Sequence, residues 1–395
     1  MQRDAKPKVV ILRGDWLSKR DTQYYEPLTA DYDLLGISVR RTIHDLSLVG
    51  FPAVAPWSVD SALANLGPVR TFLDRALRLR SENLMYFPSL DKLCEGASIL
   101  DFAETFHPFC LQAVKIKAKR GLKLVCRVHE NIPFAHENLA YRRRVKKLVF
   151  EHADAFITCS QLSKSSLVIE GAPEDKIHVI PMGLDVSQYT LVPKNPSLMA
   201  EIGISQSDFV VLFVARMVWE KGVHDVLNAM ASLRSAAPDI KLLMVGDGPL
   251  APKLPEWISR RGIEGTVKLV GKVPVPKMPD MYAMSDVVVV PSIATPTWQE
   301  QFGAVLIEAM ACGKPLVATD SGAIPEVVGD AGIIVPQASY PDLAEAILRY
   351  RNDRELMAKT GEIGRRRAVE LYSNEVVAAQ IAALYRNLLG TEASQ

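Results

Sequence analysis

The chain has 395 residues, 48% of them hydrophobic and 23% charged, which is enough to fill two domains of ordinary size. Its 46 Lys and Arg against 45 Asp and Glu leave a formal charge of +1, so no global field draws it to nucleic acid, and none is expected as a partner. The five cysteines, without a C-x-x-C or a His-rich neighbour, argue against a disulfide framework or a zinc site and read as small core residues of a reducing cytosol. The polar start and the lack of any apolar run of membrane-spanning length point to a soluble intracellular protein without a signal peptide.

Short Val- and Ile-rich runs begin at Val9–Leu12 and return at Ser98–Leu100, Leu124–Cys126, Ala155–Thr158 and His178–Ile180. Runs apolar on both faces suit a buried parallel sheet. Asp31-Tyr32-Asp33 spells a D-x-D but does not end an apolar strand, so it is assigned no metal and read as a loop or helix start. His129 follows the strand at Leu124–Cys126 with no metal-ligand spacing around it, which by itself suits a satisfied structural histidine. Residues 139–150 then carry Arg142, Arg143, Arg144, Lys146 and Lys147 on a predicted helix with Leu139, Tyr141, Val145, Leu148 and Val149 at helical spacing. Such a helix could rest on an anionic membrane, or its charges could form a solvated face.

Between Pro181 and Ser207 the periodicity weakens and Pro and Gly accumulate, marking a linker with a short helix and a domain boundary near residue 190. The second half repeats the alternation of strand and helix at Phe209–Val214, Lys241–Val245, Val267–Val270, Val287–Val290, Leu316–Thr319 and Ile333–Val335, a second doubly wound unit. The predicted fold class is therefore α/β, with Rossmann-like domains over residues 1–190 and 191–372. From Tyr340 the sequence is helical to its end, and the helix of 373–395 could cross back to the first domain.

Two segments of the second half carry chemistry. After Val214 come Arg216 and Lys221, cations at the carboxyl end of a strand that would clamp a pyrophosphate, the Arg by its fork and the Lys as a point charge; the plain alternative is a surface pair with Glu220. After Val290 a polar loop leads through Glu300 to a helix predicted from near Gly303 to Gly313. That places Glu300 at the sheet edge where open α/β folds bind ligands. The free N–H groups of Gly303, Ala304 and Val305 at the helix start would favour phosphate. Glu308 lies among Leu306, Ile307, Ala309, Met310 and Ala311, so its carboxylate needs a partner.

These segments resemble the GT-B glycosyltransferases, specifically the retaining glycosyltransferase family 4 (glycosyl transferases group 1). The likeness runs through Ile180-Pro181-Met182-Gly183-Leu184-Asp185, Ala215-Arg216 with Glu220-Lys221-Gly222, and Val245-Gly246-Asp247-Gly248-Pro249. It continues through Met281–Asp286, the Glu-x7-Glu of Glu300 and Glu308, and Ser321-Gly322 to Pro325-Glu326-Val327-Val328.

The resemblance implies two Rossmann-like domains facing across a cleft, the first binding the acceptor and the second the nucleotide sugar. It implies that Arg216 and Lys221 hold the donor diphosphate, Glu300 contacts the donor sugar and Glu308 the ribose. Gly246 and the helix-start amides join the donor site, the Val270–Pro274 loop containing Val273 lies by the base, and His129 faces the donor sugar. The single glycine of Arg13-Gly14-Asp15-Trp16-Leu17 departs from the glycine-rich acceptor loop frequent in the family.

The activity so implied is transfer of a hexose from a UDP- or GDP-sugar to a glycan, lipid-linked or small-molecule acceptor, with no cofactor beyond the donor and no metal. The expected location is the cytoplasm, peripheral at the inner face of the cell membrane if the basic helix docks. The rivals are a GT-B epimerase or phosphorylase, and a non-catalytic subunit that binds a partner or glycan. No P-loop, complete G-x-G-x-x-G, G-x-S-x-G or H-E-x-x-H is present.

Overall fold

Strands apolar on both faces build two separate parallel sheets in the computed structural model, which describes residues 5–59, 61 and 84–391. Contacts divide the chain into one unit of Met1–Gly183 with Asn374–Gln395 and another of Leu184–Ser373. The last four residues of the expected C-terminal segment, 392–395, lie outside the described residues.

The first unit contains β1 (Lys8–Gly14), β2 (Asp33–Ser38), β3 (Ala53–Val54), β4 (Ala97–Ala103), β5 (Lys123–Val128), β6 (Ala155–Thr158) and β7 (Ile177–Val179), in the order β3-β2-β1-β4-β5-β6-β7. The second contains β8 (Phe209–Val214), β9 (Ile240–Val245), β10 (Val267–Gly271), β11 (Val287–Val290), β12 (Leu316–Thr319) and β13 (Gly332–Val335), ordered β10-β9-β8-β11-β12-β13. In each sheet the chain moves outward in one direction and then returns past its first strand. Loops after β1 and β4, and after β8 and β11, therefore flank the point where the order reverses, the place where doubly wound sheets bind ligands.

Alternation within a strand divides its residues between two helical layers. Phe209, Val211 and Phe213 join one core cluster with Val226, Leu227 and Met230 of the helix Val223–Leu233 and with Leu343 and Ile347 of the helix Tyr340–Asn352. Val210 and Leu212 are equally buried but lie outside that cluster, on the other face. The five cysteines are free thiols and all buried.

β2 and β3 escaped the sequence reading because β2 opens on Asp33 and its apolar run is broken by Gly36, and β3 has two residues. Asp31 and Tyr32 lie in a turn, as expected, whereas Asp33 already opens β2, at the opposite end of the strand from the ligand-binding edge. Three strands also run beyond the apolar runs, through charged residues that one buried network links. Arg13 Nη2 of β1 donates to Asp101 Oδ1 of β4 at 2.7 Å. Tyr25 and Tyr385 donate their hydroxyls to Asp101 Oδ2 at 2.8 and 2.7 Å. Arg127 of β5 donates from Nε to the Tyr25 hydroxyl at 3.0 Å, and its guanidinium lies over the rings of Tyr24 and Tyr25 at 5.1 and 5.5 Å. Because Tyr385 belongs to the helix Asn374–Leu389, this buried network fixes the C-terminal helix to the first sheet.

The basic helix Ala140–His152, expected to meet an anionic membrane or to form a solvated face, turns two of its cations inward. Arg142 and Lys146 are only 3% and 4% exposed. Arg142 lies over the Phe106 ring, and Lys146 pairs with Glu170 at 2.6 Å and Glu137 at 3.1 Å. Val145 and Val149 pack into the core. Two of the cations and much of the apolar stripe are thus spent inside the fold, because a buried carboxylate such as Glu170 requires a counter-charge.

Asp101 is the carboxylate that offsets two buried guanidinium groups. Asp101→Asn is expected to destabilise the protein by about 3–5 kcal/mol, since it leaves both cations uncompensated. Urea unfolding checks this; a loss below about 1 kcal/mol would show that the network is dispensable.

Candidate functional site

The sheet order of the second unit brings the loops of the sequence motifs to one edge in the sequence β10, β9, β8, β11. They are interlocked through backbone groups. Gly246 N–H, after β9, donates to Gly271 O at 2.8 Å, and Ile293 N–H, after β11, donates to Glu220 O, after β8, at 2.8 Å. Gly246 has φ of 133°, and a side chain there would meet Ala215 O at 1.9 Å, so only glycine lets the loops after β8 and β9 approach so closely. Val273 is half-buried in the loop after β10.

Lys221 Nζ donates to Glu300 Oε2 at 2.6 Å, joining the loops after β8 and β11. The expected alternative partner, Glu220, is thus displaced by a residue 79 positions away. The Ser292 hydroxyl donates to the same Oε2 at 2.9 Å, and Lys221 Nζ lies 4.6 Å from the centre of the Trp298 ring. Glu300 is 8% exposed. Its backbone is held as well: Ala323 N–H donates to Glu300 O at 2.9 Å. Gly322, with φ of 56°, allows that approach, since a side chain there would lie 2.1 Å from the same oxygen. The Ser321-Gly322 motif thus serves to place Glu300.

Arg216 is exposed, and its guanidinium makes no side-chain hydrogen bond or ion pair with a described residue. Glu300 precedes the helix Ala304–Ala311, which starts after Gly303, close to the expected bounds. Glu308 on this helix is 4% exposed and accepts a hydrogen bond from the Tyr282 hydroxyl at 2.7 Å, the partner its apolar surroundings require. At the far end of the helix Arg365 Nη1 donates to Ala311 O at 2.6 Å, closing a terminal carbonyl with a cation on the favourable side of the dipole. The structure therefore brings Lys221 and Glu300 into contact, places Glu308 against Tyr282, and leaves Arg216 with an uncommitted charge.

In the first unit His129 follows β5, and its side chain is 24% exposed. Its N–H donates to Glu104 Oε1 at 3.0 Å, and its carbonyl accepts from the Ser163 hydroxyl at 3.1 Å. The next residue, Glu130, accepts from the N–H groups of Asn131 and Ile132, both at 2.9 Å, and its other oxygen lies 3.0 Å from His136 Nε2. Ser292, Trp298, Glu104 and Ser163 have no place in the sequence reading. Ser292 alone carried a local signal, as the first hydroxyl beyond an all-valine strand.

The sequence matches the family described as Glycosyl transferases group 1 over residues 195–367 and the one described as Glycosyltransferase Family 4 over residues 44–188. It is 30% identical over 298 residues to the MMP alpha-(1->4)-mannosyltransferase of Mycolicibacterium hassiacum, an alignment spanning 70% of this chain and 68% of that relative. The chain belongs to glycosyltransferase family 4. It is also 32% identical over 181 residues to the Alpha-D-kanosaminyltransferase of Streptomyces kanamyceticus, spanning 45% of this chain and about half, 46%, of that relative's length. The solved structure of HepE from Anabaena in complex with UDP matches with a TM-score of 0.76 at 21% identity, over 96% of this chain and 100% of that one. Its two parallel-sheet α/β domains thus have the GT-B fold of family 4 structures. Among the described residues no helix is long and apolar enough to cross a membrane.

The family 4 motifs meet physically in the Lys221–Glu300 pair. Lys221→Met is expected to cost about 1–3 kcal/mol, because it removes the counter-ion of a buried carboxylate. Adding Glu300→Gln should return at least half of that loss. A urea double-mutant cycle measures the coupling, and strictly additive losses would show that the two groups do not support each other.

Proposed function

We propose that the chain transfers a hexose from a UDP- or GDP-sugar to a hydroxyl of a glycan, lipid-linked or small-molecule acceptor, retaining the anomeric configuration and using no metal. Its place would be in the building of cell-surface polysaccharide or glycolipid. The observation that carries this reading is the Lys221–Glu300 pair at the reversal point of the second sheet, with the uncommitted Arg216 on the same loop as Lys221. Support comes from relatives whose names specify such donors: HepE has been solved with UDP-glucose, and a phosphatidylinositol monomannoside mannosyltransferase of Mycolicibacterium smegmatis is GDP-mannose-dependent.

The proposed chemistry follows from donor counting and charge. An ammonium group has three N–H donors. One is given to Glu300, so Lys221 can keep that bond and still offer two to a diphosphate. Arg216 supplies a fork suited to phosphate oxygens, and the amides opening the helix at Gly303, Ala304 and Val305 add donors and a positive dipole end. Negative charge grows on the diphosphate as the glycosidic bond breaks, and fixed cations stabilise that state with little reorganisation. Glu300 is assigned to the donor sugar, Glu308 to the ribose, Gly246 and the loop with Val273 to the nucleoside, and His129 to the sugar from the first unit. If residues 139–150 meet anionic lipid, the contact falls to the exposed Arg143, Arg144 and Lys147.

Arg216→Ala is expected to weaken UDP or GDP binding about tenfold or more, the loss of one charge-assisted contact, with an unchanged melting temperature. Isothermal titration calorimetry checks this. Wild-type affinity in the variant would remove Arg216 from the donor site.

A further inference from the structure

Glu104 stands one residue beyond β4 and His129 one residue beyond β5, on neighbouring parallel strands paired at Ala103 and Arg127. Their juxtaposition is thus fixed by the sheet, and Glu104 N–H continues the ladder to Arg127 O at 2.8 Å. Three features exceed what a simple turn requires. Glu104 has φ of 62°, a left-handed conformation that glycine or asparagine adopts more readily than glutamate. Its carboxylate spends only Oε1 on the backbone, accepting His129 N–H at 3.0 Å, while Oε2 is buried and bonds no described residue. The same Oε1 lies 3.5 Å from His129 Nδ1.

The group is also held in its charged form. Burial raises its pKa, but the hydrogen bond and charge of His129, the His129 N–H and the charge of His107 outweigh burial and leave it lowered. An unusual backbone conformation at a buried charge is a recognised mark of a residue retained for its side chain. The His129 backbone is held as well, its carbonyl accepting from the Ser163 hydroxyl.

Resting on the reading of His129 as a donor-sugar contact, we infer that Glu104 is its positioning residue. The carboxylate accepts from Nδ1–H, sets the ring tautomer and leaves Nε2 to face the sugar. The present 3.5 Å is at the limit of a hydrogen bond, and such contacts commonly tighten when substrate binds.

Two substitutions separate reach from backbone. Glu104→Asn suits the left-handed conformation but is one methylene too short; Glu104→Gln keeps the length and an accepting oxygen. Tautomers are read by 15N NMR of histidine-labelled protein about two pH units above the ordinary histidine value of ~6.5. Turnover is followed as nucleoside diphosphate released from UDP-glucose or GDP-mannose.

The wild type and Glu104→Gln are expected to hold His129 as the Nδ1–H tautomer. Glu104→Asn should mix the tautomers and lower kcat about tenfold or more, with donor KM within about twofold and no loss of melting temperature. An Nε2–H tautomer in the wild type, or Glu104→Asn with unchanged tautomer and kcat, would overturn the assignment. His129→Ala with wild-type turnover would instead overturn the role of His129, while the tautomer result would still report whether Glu104 orients the ring.

Discussion

A single ion pair organises the second unit: an ammonium on the loop after β8 bonds a carboxylate on the loop after β11. The two loops are neighbours only because the sheet turns back between those strands. Each partner limits the other. Glu300 is buried and requires a counter-charge, which Lys221 supplies, and Lys221 in turn is held over Trp298 at the sheet edge. The surrounding backbone follows from the same demand for closeness, since the chain crosses Glu300 O at Gly322 and Ala323. In the proposed reading this pre-formed pair receives the diphosphate with its ordering cost already met in folding.

The first unit solves a different problem with similar means. Its sheet buries two arginines and an aspartate, and these would be costly singly. Together with Tyr25 and Tyr385 they form a network that secures the C-terminal helix. Farther along the same strands, at their carboxyl ends, stand Glu104 and His129. The rigid part of the sheet thus lies directly beneath the residues assigned to chemistry, as accurate positioning requires.

Periodicity was enough to read the strands of the second unit, because β8, β11 and β12 are apolar on both faces and each ends at a polar or proline-bearing loop. It was also enough to start a helix at Gly303 and to require a partner for Glu308. It could not supply that partner's identity, because Tyr282 lies 26 residues away on another helix. The exchange of Glu220 for Glu300 as the partner of Lys221 has the same origin: local sequence names neighbours, whereas sheet order brings distant residues together. The basic run at 142–147 shows the same limit, since composition reveals charge but not that Glu137 and Glu170 draw Lys146 inward. The apolar runs stop one residue short of Arg13, Asp101 and Arg127, because a buried charge is legible only when its counter-charge is known.

The most direct test of the central claim is a crystal structure of the protein with its intact nucleotide sugar bound. The account predicts diphosphate oxygens within about 3 Å of Lys221 Nζ, the Arg216 guanidinium and the amides that open the helix at Gly303. A diphosphate bound away from both cations at full occupancy would contradict it.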